Sequence, residues 1–279
     1  MKSKKVIITA DDYGMCGFVD DAIVECVNLG TITSFNVIFN MADDVKPPML
    51  EHPASIGMHW CITAGKPVSA PEDIPSLIAE NGEFHSLKVF KQKFKKGEIK
   101  RDEIVLELKN KYKKFYELFG APAYWNTHQN SALISTRAFE IFAKTAEELG
   151  IPAMRNFQRV YIDIELLSKK RRFMEIFKNI FADFYFGVIM KKRFKMPDAR
   201  LFTVKVESKV EIERLVKALH KSRHELIEVV VHPATDTDCR YFGTIAEPRL
   251  AEYAFLRDAS LPEKFRENGI ELVGFDSIK

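Results

Sequence analysis

KKVIITADDYG, residues 4–14, is the stretch on which the fold turns. Val6 to Thr9 is a short β-branched run of the kind buried in a parallel sheet, and it stops at Asp11-Asp12-Tyr13-Gly14. Asp20 to Leu29 then has helical spacing and ends at Gly30, a C-cap signal. Thr33–Phe39 and Ile56–Ile62 read as two more strands. Arg101–Phe119 reads as a charged amphipathic helix stopped by Gly120 and Pro122. A short strand over Ala123–Thr127 follows, then a helix over Thr136–Leu149 closed by Gly150 and Pro152. Pro152–Arg155, Leu226–Val231 and Ile270–Gly274 complete the strand candidates. Strands separated by helices predict an α/β fold with a parallel sheet, open or closed into a barrel. No internal repeat or linker interrupts the 279 residues, a length at which α/β barrels form one unit, so residues 1–279 are expected to be a single domain.

The composition narrows the partners. With 46% hydrophobic and 29% charged residues the chain has material for a large core and an ordinary polar surface. A net charge of only +3 gives no bulk electrostatic reason to expect nucleic acid or membrane as a partner, and neither is expected. The N-terminus is basic and then apolar, but its apolar stretch runs only from Val6 to Ala10, too short for the core of a secretion signal. Nothing approaches the ~20 apolar residues of a membrane span. Cys16, Cys26, Cys61 and Cys239 show no CxxC spacing, which points to reduced thiols and a cytoplasmic protein.

Two segments fit the βα pattern less well. Pro67 to Gly97 is loop-rich and long enough to be a functional loop over a site. Ser168 to Met196 mixes the basic clusters Lys169–Arg172 and Lys191–Arg193 with Phe173, Phe177, Phe181, Phe184, Tyr185 and Phe186. The ordinary reading is an amphipathic helix with a solvated basic face; the alternatives are a lid, an oligomer interface or a surface for an anionic ligand.

In parallel α/β folds the C-terminal strand ends line the active site. Asp11 and Asp12 follow the first strand, His59 lies near the end of the third, and His128 follows the strand around Trp125. Arg155 ends the next candidate, and His232 directly follows Val229-Val230-Val231. Each has a bland reading alone. The acid pair could cap a helix, His59 could be a core histidine, and His232-Pro233 could be a turn. Gathered at one rim, they are harder to dismiss. Two imidazoles and a carboxylate suit a first-row divalent metal with positions open to water and substrate.

The motifs taken in order resemble a known family. ITADDYG (8–14), TSFNVIFNM (33–41), IGMHWCIT (56–63) with GKPV (65–68), and ENGEF (80–84) come first. THQN (127–130), GIP with Met154-Arg155, VVHP (230–233), RLAEYAFLRD (249–258) and GIELVGF (269–275) follow. Together they are similar to the YdjC-like carbohydrate deacetylases, over nearly the whole chain and least clearly from Val160 to Lys195. The resemblance implies a distorted TIM-type (β/α) barrel of the NodB-like deacetylase architecture. It implies a hydrolase that removes N-acetyl groups from chitin-derived oligosaccharides with a divalent metal ion, Mg²⁺ or Zn²⁺, and a homodimer among its assemblies. Asp12, His59 and His128 would hold the metal, Asp11 would be the general base, and His232 the acid that protonates the leaving amine. Arg155 would sit near the substrate or orient Asp11.

The chain departs from the family pattern beside His128. Asn126 stands where members usually have an acid, and Asn130 and Ala132 stand where they have histidines; Ala234 replaces the usual Gly after the HP pair. Outer partners of this kind tune metal affinity by ~10–100-fold. Two other readings therefore stay open: an amidase on a non-sugar substrate, and a binding protein that keeps the fold without turnover.

Overall fold

The N-terminal run becomes the strand on which the sheet is centred, in a computed structural model that describes residues 4–42, 44–203 and 207–278. Among them, eight strands pair in parallel. They are β1 (Lys4–Tyr13), β2 (Ser34–Val37), β3 (Ser55–Trp60), β4 (Trp125–Thr127), β5 (Arg159–Ile162), β6 (Ala199–Thr203), β7 (Leu226–Val231) and β8 (Ile270–Leu272). The order is β4-β3-β2-β1-β7-β6-β5, with β8 paired to the first residues of β1. Isolated bridges join Trp125 to Met154 and Ala153 to Lys195. They link β4 to the chain that enters β5, and that chain to the one entering β6, so the sheet curls round as a distorted TIM-like barrel.

Val6, Ile7, Ile8, Thr9 and Ala10 are all buried, as a strand needs to be when helices cover one face and the barrel interior fills the other. Helices over Gly17–Asn28, Arg101–Phe119 and Thr136–Glu148 present buried faces to the core. The last is capped by the Ser135 hydroxyl, which accepts from the Ala138 N–H at 3.1 Å. Trp60 and Trp125 pack with ring centroids 5.5 Å apart, and Phe142 and Phe139 extend the cluster outward.

The sequence reading meets the structure closely at Leu226–Val231 and at the helix from Thr136, and departs from it in three places. First, β1 runs to Tyr13, so Asp11 and Asp12 are its last turns of pleat rather than a turn after it. Second, Pro152–Arg155 forms only bridges, and the strands that follow it, β5 and β6, were not expected at all. Third, Pro67–Gly97 is not one long loop: Leu87–Lys96 is a helix, and the preceding stretch is tied down by carboxylates of the helix Arg101–Phe119. Glu107 accepts from the N–H groups of Val68 and Ser69, and Glu103 from that of Ser76. Among the described residues, no helix is long and apolar enough to cross a membrane.

Candidate metal centre

Asp11 and Asp12 close β1 where its pairing with β2 shifts register, between Ala10 and Tyr13, and their carboxylates take different partners. Asp12 has φ 81, a left-handed conformation that costs a side-chain-bearing residue on the order of 1–3 kcal/mol. Just after β4, Gln129 and Asn130 are also left-handed, with φ 54 and 52, immediately beyond His128. Left-handed residues thus flank the cluster on both sides.

The structure brings the three expected ligands together. Asp12, His59 and His128 offer one atom each, all within 4.8 Å of one another. Asp12 Oδ1 lies 3.0 Å from His128 Nδ1 and 3.3 Å from His59 Nε2. Its other oxygen, Oδ2, accepts from Arg249 Nη2 at 2.5 Å, so the carboxylate is oriented with one oxygen left facing the imidazoles. An N₂O donor set with one anionic oxygen fits a first-row divalent ion. Arg249 is buried, comes from a helix far along the chain, and was missed in the sequence; only its place at the head of RLAEYAFLRD marked it.

Asn126 sits between His59 on one side and Arg155 with Asn36 on the other. The orientation of its amide that satisfies its neighbours has the nitrogen donating to His59 Nδ1 at 2.5 Å and to the Met58 carbonyl at 3.3 Å, and the oxygen accepting from Arg155 and Asn36 at 2.9 Å. A carboxylate at this position could accept from Arg155 and Asn36 but could not donate to His59. That is the physical content of the departure at residue 126.

Asp11 lines the same cavity with partners of its own. Arg155 Nη1 and Nη2 donate to its two oxygens at 2.8 and 2.6 Å, and Asn36 Nδ2 donates to Oδ1 at 2.6 Å. Arg155 Nε also donates to Glu228 Oε1 at 3.0 Å, so one buried guanidinium is shared between two buried carboxylates. His232, half-buried after β7, places Nε2 3.7 Å from Asp11 Oδ2. Its backbone N–H donates to Glu252, which is paired with Lys209. Glu228, Glu252 and Lys209 were not singled out in the sequence; Glu228 showed only as a charge inside an apolar run.

The electrostatics separate the groups. Burial pushes the Asp11 carboxyl up, but the Arg155 guanidinium outweighs it and holds the group well below the usual range. Asp12 is likewise raised by burial and pulled down further by His128, His59 and Arg249. Both are anions at neutral pH. Burial alone would lower His59, yet Asp11 and Asp12 raise it above the ordinary histidine value, while burial wins at His232 and lowers it.

All six expected residues line one cavity of about 370 Å³, together with Arg249, Arg200 and the segment Tyr241–Ile245. No residue of Pro67–Gly97 lines it. The cavity is within the size range of small-molecule sites.

A family profile described as YdjC-like protein matches residues 5–267. Chitooligosaccharide deacetylase of Escherichia fergusonii is 27% identical over 96% of both chains. Chitooligosaccharide deacetylase of Proteus mirabilis is 28% identical over 98% of both, and carbohydrate deacetylase of Danio rerio 24% over 97% of both. The crystal structure of an Enterococcus faecalis protein proposed to cleave cellobiose phosphate superposes with a TM-score of 0.73 at 22% identity, over 99% of each chain.

Proposed function

This chain belongs to the YdjC-like protein family, and on that premise we propose that it is a metal-dependent deacetylase that hydrolyses N-acetyl groups on N-acetylglucosamine-containing oligosaccharides. One observation carries the reading: the Asp12-His59-His128 cluster and the Asp11-His232 pair open into the same cavity. Asp12, His59 and His128 would hold the ion. A divalent ion there supplies Lewis acidity, polarising an acyl carbonyl and acidifying water. Asp11, fixed by Arg155 and anionic, is placed to take a proton. His232, which lines the same cavity beside Asp11, would hand one to the departing amine nitrogen. Arg155 has its guanidinium committed to Asp11 and Glu228, which favours an orienting role over direct substrate binding. Acetate release from a panel of N-acetylated chitooligosaccharides tests the reading; a panel that yields none, with the ion bound, contradicts it.

The acid role of His232 has its own test. An amide nitrogen cannot leave as an anion, whereas the leaving group of an activated ester can. His232→Ala is expected to lower turnover of N-acetyl amides by about 10²–10⁴-fold and of an activated acetyl ester far less, with metal content unchanged. Equal losses on both substrates, or loss of the ion, would make His232 a ligand or a structural residue.

Metal affinity should depend on pH in a defined direction. The raised His59 value means that the ion-free protein keeps a proton there above pH 6.5, and the ion must displace it. Affinity is therefore expected to rise with pH through the region above 6.5, with proton release on binding. Calorimetry in two buffers of different ionisation enthalpy reads this directly; identical heats in both would refute it.

A further inference from the structure

The helix Lys169–Phe184 is built inside out. A surface helix normally turns its apolar stripe to the core and its charges to water. Here the face toward the body is largely polar: Glu175 pairs with Arg159, the Tyr161 hydroxyl donates to the Glu175 carbonyl, and the Asn179 side chain bonds the Arg159 backbone in both directions. The face toward solvent carries Phe173, Phe177, Ile180, Phe181 and Phe184, spaced as one stripe of a 3.6-residue repeat. Phe173 is 72% exposed, Phe177 66% and Ile180 63%. Single exposed apolar residues need no explanation, but a contiguous stripe of large ones marks an interaction surface.

The charges around the stripe say what covers it. Lys169, Lys170 and Arg171 are exposed at its start, and Lys178 flanks it; beyond its end Lys192 is exposed, and Lys191 is exposed but paired with Asp198 at 3.0 Å. Among the described residues no carboxylate forms an ion pair with Lys169, Lys170 or Arg171. The acids of the helix, Glu175 and Asp183, are engaged with Arg159, Lys178 and Arg223. With basic groups at both ends, pairing with a second copy of this face would set like charges together in either alignment. A negatively charged planar surface has no such conflict.

We propose that this face docks on an anionic lipid bilayer, with the helix in the membrane plane and the aromatic stripe in the boundary between headgroups and acyl chains. Aromatic residues on one side with lysine and arginine at the margins are what an interfacial helix requires. Docking is distinct from spanning. The net charge of +3 conceals it, because a whole-chain average erases a local basic border. The basic cluster follows the C-terminal end of β5, the end of the sheet that also carries the candidate metal centre.

Vesicle flotation of the full chain tests the proposal without reference to turnover, so it stands or falls apart from the deacetylase reading. The protein is expected to float with mixed phosphatidylcholine–phosphatidylglycerol vesicles and much less with phosphatidylcholine alone. The triple variant Lys169→Glu, Lys170→Glu, Arg171→Glu should bind the mixed vesicles at least ~100-fold more weakly, since each basic group near the surface is worth roughly fivefold. Phe173→Ser with Phe177→Ser and Phe181→Ser should also lose binding; should that variant misfold by circular dichroism, the charge variant decides. Three results would overturn the proposal: no flotation of the wild type, equal binding to neutral and anionic vesicles, or a dimer that the serine variant abolishes while the vesicles stay bare.

Discussion

Asp11→Asn is expected to retain the metal and lose turnover by about 10²–10⁴-fold, whereas Asp12→Asn is expected to lose the metal itself. The two acids are neighbours in sequence, so the contrast isolates geometry from chemistry. Asp12 lies against both imidazoles, with Oδ1 3.0 and 3.3 Å from their nitrogens. Asp11 has other partners: it is held by Arg155 and Asn36, with His232 3.7 Å off. An asparagine at position 11 keeps one acceptor for Arg155 but cannot take a proton. An asparagine at position 12 keeps the shape but removes the anionic oxygen the ion needs. Metal content by elemental analysis, read beside turnover, checks the division. Equal metal loss in both variants would contradict it.

Arg155→Met is expected to destabilise the fold by about 3–5 kcal/mol. The guanidinium is buried and donates to two buried carboxylates, Asp11 and Glu228. Methionine fills most of the volume but leaves both acids without their cation, and an uncompensated buried charge is among the costliest single changes. Arg155→Lys keeps a charge yet lacks the planar fork that reaches both partners, so it should fall between wild type and Met. Urea unfolding at neutral pH measures the series. A loss under ~1 kcal/mol for the Met variant would mean that water reaches these groups, and the orienting role would fall with it.

How far the sequence was legible follows from what each element buries. β7 was readable because Leu226–Val231 is an apolar run broken only by Glu228, close to the pattern of a parallel strand covered on both faces. β5 and β6 were not, because their side chains are partly exposed and mix arginines with apolar residues. The six expected site residues meet at one cavity because strand ends are legible and parallel strands bring their ends to one rim. Arg249 was out of reach: it approaches Asp12 from a helix 237 positions later, a contact that only tertiary packing makes. The helix from Lys169 was visible as an amphipathic pattern, but periodicity cannot say which face turns inward. That needed the ion pair of Glu175 with Arg159.

The most direct measurement is a titration of chelator-stripped protein with Zn²⁺ or Mg²⁺, following acetate released from N,N′-diacetylchitobiose. The account predicts no release without the ion, and release that rises to a plateau at one ion per chain and is absent in His128→Ala. Acetate release that persists in the stripped protein, or an ion that binds at Asp12, His59 and His128 with no acetate from any N-acetylated saccharide, would contradict it.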